Sequence, residues 1–79
     1  MRIQIFRTDG CTLCDKVINR LFDLSLAHGS ELIVTDVSLD DELLNQYGSD
    51  IPVIKISGKI LRSPFSDEEL LALIEQSTA

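Results

Sequence analysis

The chain is short of several things, and each shortage narrows what it can do. No stretch of its 79 residues approaches the ~18 apolar residues of a membrane-spanning helix, so no membrane partner is expected. Lys and Arg number 7 against 13 Asp and Glu, for a net charge of −6, and the basic residues form no run. A nucleic-acid or anionic-membrane partner therefore has no electrostatic footprint. There is one histidine, His28, and no Ser-His-Asp, paired-carboxylate or phosphate-loop arrangement. The N-terminal run Met1-Arg2-Ile3-Gln4-Ile5-Phe6-Arg7 lacks the apolar core and small-residue cleavage site of a secretory signal. The expectation is a cytoplasmic protein, in a reducing compartment where purely structural disulfides are disfavoured. Linkers, internal repeats and low-complexity segments are also missing, so residues 1–79 read as one domain.

Cysteine is scarce too, and both copies sit together, in D-G-C-T-L-C-D at 9 to 15. Four readings of Cys11 and Cys14 are open: a redox dithiol, part of a metal site, a structural staple, or two small buried hydrophobes. A staple across two residues closes too short a loop to constrain the unfolded chain much. Structural zinc asks for four N or S ligands. Two cysteines and one distant histidine fall short, unless a dimer shares both pairs around zinc or an iron–sulfur cluster.

What is present is an ordinary globular composition, 44% hydrophobic and 25% charged, too rich in Ile, Leu and Val for disorder. Ile3 to Phe6 is a β-prone run broken by the turn residues Thr8-Asp9-Gly10. From Thr12 the period changes. Leu13, Val17, Leu21 and Leu24, with Ile18 and Phe22 alongside, predict one broad apolar face on a helix from Thr12 to Ala27. His28 is expected to be solvated at its end, with Gly29 as a left-handed cap. Glu31–Val37 reads as a second strand. Ser38 is expected to open a short helix with Asp41 as a capping-box acid, Leu43 and Leu44 as its apolar side and Gly48 as its stop. Ile51–Ile56 reads as a third strand, Ser57-Gly58-Lys59 as a tight turn and Ile60–Arg62 as a fourth strand. Ser66 and Glu69 form a capping box, with Phe65 and Leu70 as the hydrophobic staple of a last helix. Leu70, Leu71, Leu73 and Ile74 should face the sheet, and Ser77-Thr78-Ala79 should fray.

The order β-α-β-α-β-β-α implies an α/β fold. Its first two strands should be parallel through a right-handed crossover and its last two antiparallel, giving a mixed four-stranded sheet with flanking helices. A C-x-x-C at the strand-to-helix junction of such a βαβ unit points to redox chemistry. A helix start leaves backbone N–H groups unpaired and favours an anion, which at Cys11 would be the reactive thiolate. Arg7 would favour that thiolate, whereas Asp9 and Asp15 would oppose it.

These residues together resemble the glutaredoxin-like branch of the thioredoxin superfamily. C-T-L-C at 11 to 14, I-P-V-I at 51 to 54 and S-D-E-E-L at 66 to 70 carry the resemblance. It implies thiol–disulfide exchange, with Cys11 as nucleophile and Cys14 as resolving thiol. It further implies a cis proline at Pro52 beside the dithiol, against the plain alternative of a trans proline starting an edge strand. The backbone of Ile51 would pair with an extended substrate, with Thr12, Leu13 and Arg7 lining its path. Tyr47 would either shape that groove or pack on the surface. The implied partner is a disulfide-containing protein or a low-molecular-weight thiol, and the expected state is a monomer with no organic or metal cofactor.

The chain departs from the family in two places. The Gly-Gly-x-Asp segment that holds glutathione is replaced by Leu61-Arg62-Ser63-Pro64-Phe65-Ser66-Asp67, and Thr12-Leu13 replaces the usual Pro-Tyr between the cysteines. Ser66 and Asp67 could still offer N–H groups at a helix start. Glutathione is left as a candidate reductant whose usual binding segment is missing. A thioredoxin-fold binding module with an idle dithiol is the competing reading.

Overall fold

The computed structural model describes residues 2–78, and the side chains of all of these except 25–28 and 78. Strand β1 (Arg2–Arg7) leads into helix α1 (Thr12–His28), strand β2 (Glu31–Asp36) and helix α2 (Asp41–Tyr47). Strands β3 (Val53–Ile56) and β4 (Lys59–Arg62) and helix α3 (Asp67–Thr78) follow. The sheet order is β2-β1-β3-β4. β1 and β2 are parallel, from Arg2 opposite Glu31 to Arg7 opposite Asp36. β1–β3 and β3–β4 are antiparallel.

Side-chain alternation along β1 and β3 divides the core between two faces. Ile3, Ile5, Ile54 and Ile56 point to one face, where Leu21 of α1 and Leu70, Leu73 and Ile74 of α3 close over them. Phe6 and Val53, paired across β1 and β3, point to the other, under Val37 and Tyr47 at the two ends of the segment carrying α2. Each of these buried side chains stabilises the fold by up to roughly 1.5–3 kcal/mol relative to exposure, so the sheet is fixed from both sides. The C-terminal end of β1 and the start of α1 emerge between these clusters.

Several local expectations are corrected. Leu13 and Phe22 lie at the margins of the α1 stripe, 51% and 55% exposed. The covered stripe is Cys14, Val17, Ile18, Leu21 and Leu24, because the sheet meets the helix on one side of the broad apolar face. β2 ends at Asp36, and Val37–Leu39 form a 3-10 turn that carries Val37 into the core. Ser38 therefore does not open α2. Asp40 does, its carboxylate accepting from the N–H groups of Glu42 and Leu43. β3 begins at Val53 rather than Ile51, since Pro52 has no N–H to give a ladder. β4 starts one residue early, at Lys59, leaving a two-residue turn at Ser57-Gly58 with both φ values positive (52° and 80°).

Ser66 caps α3 as expected, its Oγ accepting from the Glu69 N–H at 3.1 Å, and Phe65 packs on the cluster containing Leu70. Leu71 is only half-buried. The end of α3 does not fray at Ser77 or Thr78. Both are helical, and the Ser77 hydroxyl donates to the Leu73 carbonyl at 2.8 Å. Gly29, at φ 65°, ends α1 as expected. The His28 side chain and Ala79 lie outside the described residues. No helix among the described residues is long and apolar enough to cross a membrane.

Candidate functional site

The sequence places no Ser, Thr, Asp or Asn at the cap of α1. Cys11 takes that position. Its carbonyl accepts the first helical bond from the Asp15 N–H at 3.1 Å, and its Sγ accepts from the Cys14 N–H at 3.1 Å. Sulfur here occupies the place of a capping oxygen. Gly10, at φ 77°, makes the turn from β1 that brings it there. Cys11 and Cys14 are joined as a disulfide, with Cα atoms 5.2 Å apart. The two sulfurs differ in surroundings: Cys14 is completely buried at the edge of the core, and Cys11 is half-buried at the surface.

The Ile51–Pro52 peptide bond is cis, and so is Ser63–Pro64. Pro52 is fully buried. Together with Leu13, Val17, Ser63, Pro64 and Phe65 it walls a cleft of about 150 Å³. The sequence-predicted residues Leu13 and Pro52 are thus brought together. Thr12 is exposed in the first turn of α1, and Ile51 packs from the half-buried side against Phe6, Val37, Tyr47 and Val53.

Arg7 is less free than the sequence suggested. Its Nη2 lies 3.4 Å from Asp9 Oδ1 and 4.0 Å from Asp15 Oδ1, and its Nε is buried without a partner among the described residues. The same guanidinium contributes to holding the Asp36 carboxyl below its ordinary value, after the larger effects of the Ser38 hydroxyl and amide. Arg7 thus offsets part of the negative charge that Asp9 and Asp15 place around the start of α1.

Sequence reasoning missed the group that holds the Pro52 loop. Arg62 Nη1 donates to Asp50 Oδ2 at 2.9 Å and to the Gln46 carbonyl at 3.2 Å, and its guanidinium lies 5.2 Å above the Tyr47 ring. Tyr47 stacks on Phe6 at 4.5 Å, so it belongs to the core face under α2 and is not among the residues walling this cleft. The Ser63 N–H donates to the Asp50 carbonyl, and the Asp50 N–H to that of Tyr47. Residues 47–52 and 62–64 are therefore one tied unit facing the start of α1. The Ser63-Pro64 dipeptide was the available signal, because it marks an irregular turn after β4. Among the described residues no group of three or more His, Cys, Asp or Glu side chains converges as metal ligands would.

A profile of the Glutaredoxin-like domain (DUF836) matches residues 2–75. The chain belongs to this glutaredoxin-like family. No curated protein matches it by sequence. Among solved structures, protein XcR50 of X. campestris is 25% identical, with 94% of this chain and 96% of that one covered and a TM-score of 0.77. Thioredoxin 1 of Thermosipho africanus shares the fold at a TM-score of 0.77 and 22% identity, over 96% of this chain and 92% of that one. Protein Ne2328 of Nitrosomonas europaea does so at 0.73 and 24%, over 92% and 88%. For this glutaredoxin-like domain the likenesses establish a thioredoxin fold, with the disulfide at the strand-to-helix junction consistent with a redox role.

Proposed function

We propose that the protein is a small dithiol–disulfide oxidoreductase. The reading is carried by one observation: the sulfur of Cys11 caps a 17-residue helix and accepts the Cys14 N–H, while Cys14 is wholly buried. In the reduced protein that N–H and the helix terminus favour a Cys11 thiolate. Burial favours the neutral thiol at Cys14. Asp9 and Asp15 repel the thiolate, but their pairing with Arg7 mutes that effect.

The Cys11 thiolate attacks one sulfur of a substrate disulfide, forming a mixed disulfide and releasing the other sulfur as a thiolate that takes up a proton. Cys14 then loses its proton and attacks Cys11, expelling the second substrate thiol and closing the Cys11–Cys14 disulfide. The substrate gains two electrons and the protein loses them, and an external thiol restores the dithiol. Pro52 and the Ile51 backbone present one wall of the substrate path, with Thr12 and Leu13 opposite. We place the activity in the cytoplasm, where a dithiol cycles readily.

Reduction of insulin or of a small mixed disulfide tests the reading. Wild type should turn over and Cys11→Ser should not. Equal inertness of both toward every disulfide tried would leave the binding-module reading in possession.

A further inference from the structure

A second cleft, of about 230 Å³, continues from the first between α1 and α3, sharing Leu13, Val17 and Phe65 with it. Its far side is formed by Lys16 and Arg20 of α1, with Asp67 at the start of α3. The chain has only 7 basic residues against 13 acids. Arg2, Arg7 and Arg62 are each committed to an acid, whereas Lys16, Arg20, Lys55 and Lys59 form no ion pair among the described residues, and of these four Lys16 and Arg20 line the cleft. Two like charges one helical turn apart repel each other rather than help the helix. Asp67 has a local explanation, as a first-turn acid at a helix N-terminus. The groove therefore runs from an apolar end beside Pro52 to an end carrying two cations and one anion.

Resting on the redox reading of the dithiol, we propose that the protein selects polypeptide disulfides carrying an acidic residue near the half-cystine. The substrate segment lays an apolar side chain into the cleft between Leu13 and Pro64 and carries a carboxylate to Lys16 and Arg20. The spacing sets where the acid belongs. Lys16 and Arg20 follow Cys11 by five and nine residues, so they lie roughly 7–14 Å along the helix axis. An extended substrate advances ~3.3 Å per residue, which puts the acid two to four residues from its half-cystine. A polypeptide satisfies both ends of the groove. Glutathione supplies carboxylates but no apolar side chain for the near end, which is walled by Leu13, Val17, Pro52, Pro64 and Phe65.

The test uses two synthetic peptides, each with its cysteine in a mixed disulfide with 2-mercaptoethanol and a leucine beside it. One carries glutamate and the other lysine three residues away on both sides. At low ionic strength the glutamate peptide should show the higher kcat/KM, by roughly three- to tenfold, as two exposed charge pairs provide. The ratio should fall toward one in Lys16→Gln/Arg20→Gln, persist in Lys16→Arg, and shrink as salt is added. A ratio near one in wild type, or a preference that survives the double substitution, overturns the proposal. So does equal dependence on Lys16 and Arg20 for the glutathione mixed disulfide of 2-mercaptoethanol. Reduction of insulin by wild type separates the two levels, because inertness toward insulin, bis(2-hydroxyethyl) disulfide and both peptides alike is a failure of the redox reading itself. In that event the same peptides with serine for cysteine, titrated by fluorescence anisotropy, decide the matter. Tighter binding of the glutamate peptide supports the groove, and equal affinity rejects it.

Discussion

Arg62→Ala removes one guanidinium that serves three neighbours. Its ion pair with Asp50 is at 2.9 Å with both side chains nearly half exposed, a setting worth about 0.2–1 kcal/mol. Its bond to the Gln46 carbonyl satisfies an acceptor in the last turn of α2, a turn with no basic residue of its own, and contributes about 0.5–1.5 kcal/mol. Its position over Tyr47 adds about 0.5–1 kcal/mol. One group makes all three contacts, so the effects are coupled and should sum to less than their separate maxima. The expected loss is about 1.5–2.5 kcal/mol. Urea unfolding followed by circular dichroism should show it as a lower midpoint at unchanged slope, and Tm should drop by roughly 6–20 °C for a domain of this size. A double-mutant cycle with Asp50→Asn should return a favourable coupling energy. The loosening should also be local, with faster amide exchange at Asp50 and Ser63, whose N–H groups close the tied unit around Pro52. Arg62→Ala within about 0.3 kcal/mol of wild type, together with unchanged exchange at those amides, would refute this reasoning.

Gly48→Ala should destabilise although Gly48 has an ordinary helical φ of −56°, because a Cβ there would stand 2.5 Å from the Leu44 carbonyl oxygen. About 1–3 kcal/mol is expected in denaturant titration, where a Gly→Ala change at a compatible position would stabilise. Ser38→Ala removes the hydroxyl that, before the Ser38 amide and Arg7, holds the Asp36 carboxyl below 3.8. A folded-state value below the unfolded one contributes stability above about pH 3.8 and loses it as pH falls through the lower folded value. NMR titration of Ser38→Ala should therefore find Asp36 moved up toward 3.8, and acid unfolding should lose that contribution. Ser66→Ala should cost about 1 kcal/mol by leaving the Glu69 N–H without its cap, seen as a lowered urea midpoint.

Much of this was legible because it is local. The β-prone run before D-G-C-T-L-C-D, the change to helical period after it, and the Ser66–Glu69 pair each depend on residues within one turn of one another, and β1, α1 and α3 follow them closely. The parallel β1–β2 pair and the antiparallel β3–β4 pair followed from connection length, but the antiparallel pairing of β3 with β1 did not, because helix α2 also joins β2 to β3. Tertiary choices were not legible. Ser38 and Asp40 are both good caps, and it is the burial of Val37 that turns the chain once before α2 begins. Periodicity defined a face on α1 wide enough to include Leu13 and Phe22, but only the sheet's position leaves them at its exposed edges. In the site, the cysteines and Pro52 were marked by their own chemistry. The Arg62–Asp50 pair spans 12 residues and carries no local pattern, and Ser63, Pro64 and Phe65 become cleft walls only when β4 delivers them opposite α1.

The assignment of the two sulfurs is the centre of the account, and limited alkylation of the fully reduced protein near neutral pH tests it most directly. Cys11 is half-buried at a helix terminus and accepts an N–H, whereas Cys14 is completely buried. Peptide mapping after substoichiometric iodoacetamide should find the label on Cys11, with Cys14 modified only after unfolding. Label appearing first on Cys14, or equally on both, would contradict the roles given to them.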